Sequence, residues 1–347
     1  MNEISANKIS IIIPHYNNKE ILYNCIDSLK KITYKNYEII VVDNNSTDNS
    51  AESVQESFPD IKIITSEKNL GYAGGCNLGA RKSKADYLLF LNNDTIHDNN
   101  FIQPLVDLLD NDSTIASVQP KIINTDKVYF DYAGASGGYI DYLAYPYARG
   151  RVFDTIEKDT GQYNDKKMIF WASGACFLTR RSVFDTMGGF DEKLFAHMEE
   201  IDFHWRTYMS GMNVYVEPKS IIYHEGGVTL NKHSSKKLYL NHRNSMILLL
   251  TNYSISFSLY ILPIKLILEV ISSLKELFTL RIINFINHYL ALLWIVFNLN
   301  YLIGRRKKNK SIRNITDKEI FNKGVVLPKS IVKMYFLSGK KKYTDLK

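Results

Sequence analysis

Cysteine is scarce in this chain. There are three in 347 residues, Cys25, Cys76 and Cys176. An odd, widely spaced set makes no disulfide framework and lacks zinc-ligand spacing, so a reducing compartment is expected and the three thiols read as small buried hydrophobes. With 18 Gly, 8 Pro and 45% hydrophobic residues, the composition excludes a collagen-like or disordered chain. Met1 to Lys8 is polar and carries Glu3, with no apolar stretch, so a secretory leader is not expected. Two nucleotide-binding signatures are missing as well. The turn after the first predicted strand has no glycine, where a dinucleotide oxidoreductase needs G-x-G-x-x-G, and there is no P-loop pattern.

What is present begins with length and charge. A chain of 347 residues is one large or two modest domains. The net charge of +7 is unevenly spread: from Leu302 to Lys347 there are 14 Lys/Arg against 3 acids, leaving a body of −4. Such a tail attracts a polyanionic surface, nucleic acid or anionic lipid, and composition alone does not choose between them.

The first 120 residues alternate strand and helix. Ile9 to Ile13, Tyr37 to Val42, Ile61 to Thr65 and Tyr87 to Leu91 read as strands. Helical spacing of Ile21, Leu22, Cys25, Ile26 and Leu29 fills the first link, Asn45-Ser-Thr-Asp48 supplies caps for the second helix, and a third runs through Cys76 to Lys82. Repeated β-α-β predicts an α/β fold, a Rossmann-like and mostly parallel sheet flanked by helices, with ligands at the carboxyl ends of the strands. Those ends carry Pro14-His-Tyr-Asn17, Asp43-Asn-Asn-Ser-Thr-Asp48, the glycine-rich Asn69 to Gly79, and Asn92-Asn-Asp94. An aromatic, several acids and a glycine-rich turn on one sheet edge suit a single nucleotide held through a metal.

Further on, Phe195 to Arg206 reads as a helix ended by Gly211, with Glu199, Asp202 and Arg206 on one face and Glu200 and His204 as a neighbouring pair. His197 and His204 read as structural, and Trp171 as a packing residue. Ser220 to Tyr223 is strand-like and leads to His224. From Ile255 to Ile303 the chain turns apolar but is interrupted by Pro263, Lys265, Glu269, Lys275, Glu276 and Arg281. Its cleanest run, Ile282 to Ile303, is about as long as a spanning helix. Its Asn and His residues are costly in hydrocarbon, so amphipathic helices lying in the membrane interface are expected instead. The expected division is a catalytic domain over 1–252, an apolar amphipathic region over 253–304 and a basic tail over 305–347.

Eight short motifs, in order, resemble the family-2 glycosyltransferases of GT-A fold. They are Pro14-x-Tyr16-Asn17, Val42-Asp43-Asn-x-Ser-x-Asp48, Asn69-x-Gly71 with Gly74-Gly75-x-Asn77, Leu91-Asn-Asn-Asp94, Trp171-Ala-Ser-Gly-Ala175, Gly188-Gly-Phe-Asp-Glu192, Glu199-Glu-x-Asp202 and His224-x-Gly-Gly227. Tyr145 to Arg151 and Phe195 to Asp202 are similar to a bacterial rhamnosyltransferase branch.

The resemblance implies an inverting transferase using a UDP- or dTDP-sugar, dTDP-rhamnose among them. Tyr16 would stack on the pyrimidine and Asp43 accept its imide N–H. Pro14, Asn17, Asn45, Asn69, Gly71, Gly74, Gly75, Asn77, Asn92, Asn93, Trp171 and Gly174 are the other nucleotide-sugar candidates, with Arg149 and Arg151 closing over phosphate. Asp94 and His224 would hold Mg²⁺ or Mn²⁺, Asn92 replacing the first acid of the D-x-D motif. Glu200 maps to the base, with Glu199 as fallback and Asp202 beside them. The expected acceptor is a glycan, lipid-linked through polyprenyl diphosphate, met at the cytoplasmic membrane face, with the C-terminal region on anionic lipid and no nucleic acid. A soluble or protein acceptor, a sugar-nucleotide sensor without activity, and a nucleic-acid-binding protein are the alternatives.

Overall fold

The computed structural model describes residues 9–225 and 234–346. Gly226 and Gly227 of the last motif lie outside them. The first half builds β1 (Ile9–His15), α1 (Lys19–Lys30), β2 (Tyr37–Asp43), α2 (Ser50–Ser57), β3 (Lys62–Thr65), α3 (Gly71–Lys82), β4 (Tyr87–Leu91), β5 (Thr95–His97), α4 (Ile102–Asn111) and β6 (Ile115–Asn124). Short strands follow: β7 (Gly138–Asp141), β8 (Pro146–Ala148), β9 (Arg151–Val152), β10 (Thr155–Ile156) and β11 (Lys167–Met168). Then come β12 (Cys176–Arg180), α5 (Arg181–Met187), α6 (Glu199–Met209) and β13 (Asn213–His224). The C-terminal part holds α7 (Ser235–Asn252), α8 (Ile255–Phe278), α9 (Ile282–Phe297), α10 (Leu299–Ile312), α11 (Asp317–Asn322), β14 (Val326–Leu327) and α12 (Ile331–Phe336).

The main sheet runs β11-β13-β6-β12-β4-β1-β2-β3, with β5 paired to β13. The expected parallel ladder β4-β1-β2-β3 is there, and β12 inserts antiparallel between β4 and β6. The continuous apolar runs follow from burial on both faces. Ile9, Ile11, Ile13, Ile39 and Val41 point into the layer under α1 and α4, while Ile12, Ile40, Val42, Leu88 and Phe90 point to α3 and α6. Each such side chain contributes about 1.5–3 kcal/mol on burial. Helix α3 lies close on this second face because Gly79 and Gly75 lack a side chain. A Cβ on Gly79 would stand 2.5 Å from Ile12, and one on Gly75 would stand 2.9 Å from Asn44. The three cysteines are free and buried, as read.

The C-terminal region departs from the expected division. Residues 305–346 do not form a separate tail. α10 runs across the boundary, β14 pairs with β7 to extend a second sheet β10-β9-β8-β7-β14, and Tyr343 packs on Tyr139, Tyr147 and Tyr163. Arg305 on α10 is buried, pairing with Asp191 and with Asp202 on α6. Charge that looked free in the sequence is partly spent on holding the chain together.

The apolar stretch is also rearranged. Ile282 to Ile303 is broken at Asn298 into α9 and α10, bent by 70°. Among the described residues, α8, with 24 residues and a hydropathy of 1.8 over its most apolar stretch, is the one helix long and apolar enough to cross a membrane, or that and the bent pair if the pair counts as one span. Its polar residues Ser258, Lys265, Glu269, Ser273 and Glu276 recur at helical spacing and are buried, while Leu259, Ile267, Ile271 and Phe278 are exposed, Ile267 to 60% and Phe278 to 81%. This is amphipathicity turned inside out.

Arg305→Ala should cost about 3–5 kcal/mol, since it strips a cation from the fully buried Asp202 as well as from half-buried Asp191. Urea denaturation in detergent measures this, and an unchanged midpoint would show that α10 does not brace α6.

Candidate active site

A cleft of about 760 Å³ opens at the carboxyl ends of β1 and β4. Its walls are Pro14 and Tyr16 after β1, Asn69 and Gly71 before α3, Asn92 to Asp94 after β4, Trp171 and Gly174 before β12, the turn into α6, His224 at the end of β13, and parts of α7 and α8. Tyr16 is exposed at the mouth. Behind it a chain of hydrogen bonds sets the turn: Asn17 N–H donates to Ser46 Oγ (2.9 Å), Ser46 donates to Asp43, and Asn17 Oδ1 accepts from Thr47 N–H (2.8 Å). Asp43 is therefore buried and held by Ser46 rather than lining the cleft, and Asn17 and exposed Asn45 are likewise outside its walls. Asn93 turns inward, its Nδ2 2.9 Å from His15 Nδ1. Burial pushes that imidazole down to about 4, so it stays neutral and accepts from the amide.

Asp94 and His224 meet as the resemblance implied. His224 Nδ1–H donates to Asp131 (2.9 Å), which aims Nε2 back at Asp94 Oδ1, 3.0 Å away, with Asn92 Nδ2 at 3.3 Å. Burial disfavours the imidazolium, but Asp94 and Asp131 override it and push His224 up to about 10. The Asp94 Oδ1 contact is close without hydrogen-bond alignment, leaving a buried carboxylate oxygen with no hydrogen-bond partner. An orphaned carboxylate oxygen beside an imidazole nitrogen oriented by a second carboxylate fits a divalent cation bound by both, the cation taking the place of the Nε2 proton. Asp131 carried no motif and was not singled out in the sequence.

The acidic pair sits where α6 begins. The helix starts at Glu199, not at Phe195, because Phe195, His197 and Met198 have φ of 66°, 67° and 73°. Three non-glycine residues in the left-handed region are costly. The turn is held by Asn244 of α7, whose Nδ2 donates to the carbonyls of Leu194, Ala196 and His197, and by Arg243, which donates to those of Lys193 and Leu194. Gly71, at φ 68°, admits the Phe195 carbonyl, which a Cβ would meet at 2.4 Å. Glu199 is buried, whereas Glu200 is half-buried on the cleft wall, and each has an unpartnered buried Oε2. Burial raises both carboxyls, and the repulsion of Glu200 raises Glu199 further. His197, read as structural, lines the cleft; His204 is buried and takes the Ala172 N–H.

Several candidates lie elsewhere. Asp202 is 0% exposed and faces a different cavity, of about 590 Å³, behind α6. Burial opposes its ionisation, but Arg206 (2.9 Å) and Arg305 override it and hold the carboxyl below its usual range, while Asn252 donates to it. A carboxylate so fully paired is no base. Arg149 is tied to Asp165 and stacked over Tyr163, off the cleft, while Arg151 does line it, 4.1 Å from the Tyr132 ring centroid and donating to the Tyr132 carbonyl. Gly74 faces Leu70, Gly75 packs under Asn44, and Asn77 bonds the Phe190 backbone and Glu192, so none of the three lines the cleft. Trp171 packs on Gly138 and donates to the Tyr139 carbonyl, yet one side borders the cleft. Tyr72, unmarked in the sequence, donates to the Gly174 carbonyl (2.6 Å) and shapes the wall between them.

A parallel α/β sheet with its cleft at the strand ends, an acid and a histidine converging there and a carboxylate pair opposite define the GT-A class of nucleotide-sugar transferases. The chain belongs to glycosyl transferase family 2, whose model matches residues 10–188, and is a glycosyltransferase. It is 25% identical over 244 residues to N-acetylglucosaminyl-diphospho-decaprenol L-rhamnosyltransferase of Mycobacterium tuberculosis, covering 65% of this chain and 79% of the relative. Low-salt glycan biosynthesis hexosyltransferase Agl10 of Haloferax volcanii is 26% identical over 244 residues, 68% of this chain and 73% of that one. Among solved structures, GalNAc-T7 with UDP, GalNAc and Mn²⁺ superposes with a TM-score of 0.55 at 17% identity, covering 71% of this chain and 48% of that one. The mannosyltransferase PcManGT from Pyrobaculum calidifontis, in complex with GDP-Man and Mn²⁺, gives 0.50 at 14% identity, 70% and 63%. The chain spans about half the length of the first structure and under two thirds of the second, and both likenesses concern the fold.

Asp131→Asn should lower Mn²⁺ affinity about 10- to 100-fold by releasing His224 from its orientation. Electron paramagnetic resonance titration of Mn²⁺ measures it, and unchanged affinity would remove His224 from the metal site.

Proposed function

We propose that the protein is an inverting transferase that moves a sugar from a UDP- or dTDP-activated donor, with rhamnose as the sugar, to a diphosphate-lipid-linked glycan at the cytoplasmic membrane face. The observation that carries this is the half-buried Glu200 carboxylate, with an oxygen free of partners, in the same cleft as the Asp94–His224 pair. Transfer needs a base for the acceptor hydroxyl and neutral surroundings for the departing diphosphate. Glu200 serves as the base. It is the second residue of α6, where unpaired backbone N–H groups favour its charged form while Glu199, deeper, keeps its proton. A Mg²⁺ or Mn²⁺ held by Asp94 and His224 supplies, when bound, the neutralisation of the diphosphate. Tyr16 stacks on the pyrimidine, and Asp43, held to Ser46 behind the cleft wall, sets the turn that presents it. Arg151 and Asn69 face the phosphates and sugar.

The rhamnosyltransferase relative, named for a decaprenyl-diphosphate acceptor, supports both sugar and acceptor class. The exposed apolar faces of α8 and α9 support the lipid. Ile264, Ile267, Ile271, Ile283, Leu290 and Val296 form an outer surface that water disfavours. The polar stripe of α8 packs inward against α7 and α9, and α8 lies in the interface on the body of the enzyme, where the cations of the C-terminal region attract anionic headgroups.

Glu200→Gln should lower kcat about 10²- to 10⁴-fold with donor binding retained, read as nucleoside diphosphate release with a membrane lipid extract as acceptor. Binding lost together with turnover would make Glu200 a donor contact instead. Because the base must be ionised and burial raises the carboxyl pair, kcat/KM should climb with pH and level off well above about pH 4, the usual carboxylate range. A plateau already complete at about pH 5 would contradict that role. Ile267→Glu with Ile271→Glu should abolish flotation with anionic vesicles; flotation at wild-type level would place the lipid contact elsewhere.

A further inference from the structure

Where α7, α8 and α9 meet, three side chains from three helices converge on a point that the transfer reaction does not use. His242 Nδ1 lies 2.6 Å and His288 Nδ1 3.1 Å from the same oxygen, Oε2, of Glu269. One potential ligand atom from each residue lies within 4.8 Å of the other two. The two imidazole rings are 4.0 Å apart, centroid to centroid. Glu269 and His288 are almost completely buried, and both keep an unpartnered polar atom, Oε1 and Nε2 respectively.

This is an odd arrangement for a simple ion-pair network. Both Nδ1–H groups donate to one oxygen of Glu269 and leave the other without a partner, with the two rings 4.0 Å apart. The nearest ammonium does not take the spare oxygen either. Lys265, one turn before Glu269, donates to Ser245 Oγ at 3.0 Å and lies 3.4 Å from the centroid of the Tyr145 ring. Two imidazole nitrogens and a carboxylate oxygen gathered within 4.8 Å are the donor set of a metal site, which a divalent cation enters by displacing the protons now shared with Glu269. Donors about 2.0 Å from a tetrahedral centre stand about 3.3 Å apart; His288 at 3.1 Å is near that spacing, and His242, hydrogen-bonded at 2.6 Å, has to draw back to reach it when an ion replaces the proton.

We infer that His242, Glu269 and His288 bind a divalent transition metal of the zinc type, at a site separate from the Asp94–His224 pair. Two imidazoles and one carboxylate leave a coordination position open. His242 and Glu269 line the cleft, so that position is reached from it and takes an oxygen ligand, water or a phosphate oxygen. The ion ties α8 and α9 to α7, and α7 carries the Asn244 that holds the turn before Glu199.

The test uses the full-length protein in detergent, stripped by chelator, carrying Asp94→Asn and His224→Ala so that the other site is removed. Titration with Co²⁺ should give one equivalent with the intense visible absorption of a four-coordinate ion, and adding His242→Ala or Glu269→Gln should abolish it. Absence of that band, or an unchanged band in both added variants, overturns the site. If the added variants fail to fold, X-ray absorption of the Zn²⁺-loaded background protein decides: two imidazoles in the first shell support the inference, and one or none refutes it.

Discussion

Asp202, Arg206 and Arg305 form the interaction on which the rest of this enzyme leans. A carboxylate with no exposure is ionised only because two guanidiniums, one from its own helix and one from α10, surround it, with Asn252 supplying a further hydrogen bond. Removing any partner leaves a buried charge unpaired, which is why the three act as a unit. The pairing fixes α6 against α10 and, through Asn252, against the end of α7. Both the acidic pair at the start of α6 and the helices with the apolar outer face then belong to one body, and the distance between them is set by ion pairing rather than by a flexible linker.

The same rigidity supports the strained turn from Phe195 to Met198. Three positive φ angles persist because the amide of Asn244 takes three carbonyls that the turn would otherwise leave without partners. Glu199 and Glu200 thereby enter the helix at its first turn and share one protonation problem: burial raises both, and the more buried one keeps the proton. On the opposite wall, Asp131 orients His224 toward Asp94, so each of the two acidic clusters lining the cleft is held by a residue outside it.

Inverted amphipathicity in α8 is what the proposed membrane contact rests on. Burying Lys265, Glu269 and Glu276 while exposing isoleucines and phenylalanine is costly for a helix facing water. The cost vanishes where the outer medium is hydrocarbon and the inner neighbours are polar. The buried polar stripe is also what brings Glu269 to His242 and His288.

The sequence by itself determined the sheet, because continuous β-branched runs separated by helical spacing admit few other folds, and it located the strand ends where Tyr16, Asn92 and Asp94 stand. It also marked Glu199, Glu200 and His224. Tertiary structure alone decided the rest. Asp202 shares a helix with Glu200, but a helix turns 100° per residue, so Asp202 faces α10 and not the cleft. Gly75 and Asn77 belong to the glycine-rich motif yet serve the packing of α3, since the motif enters a helix whose inner face meets the sheet. Arg149 and the basic tail looked free because their partners, Asp165 for one and Asp191 and Asp202 for Arg305, are distant in sequence. Asp131, Asn244 and Tyr72 left no local signal, because their roles arise only from what folding sets beside them.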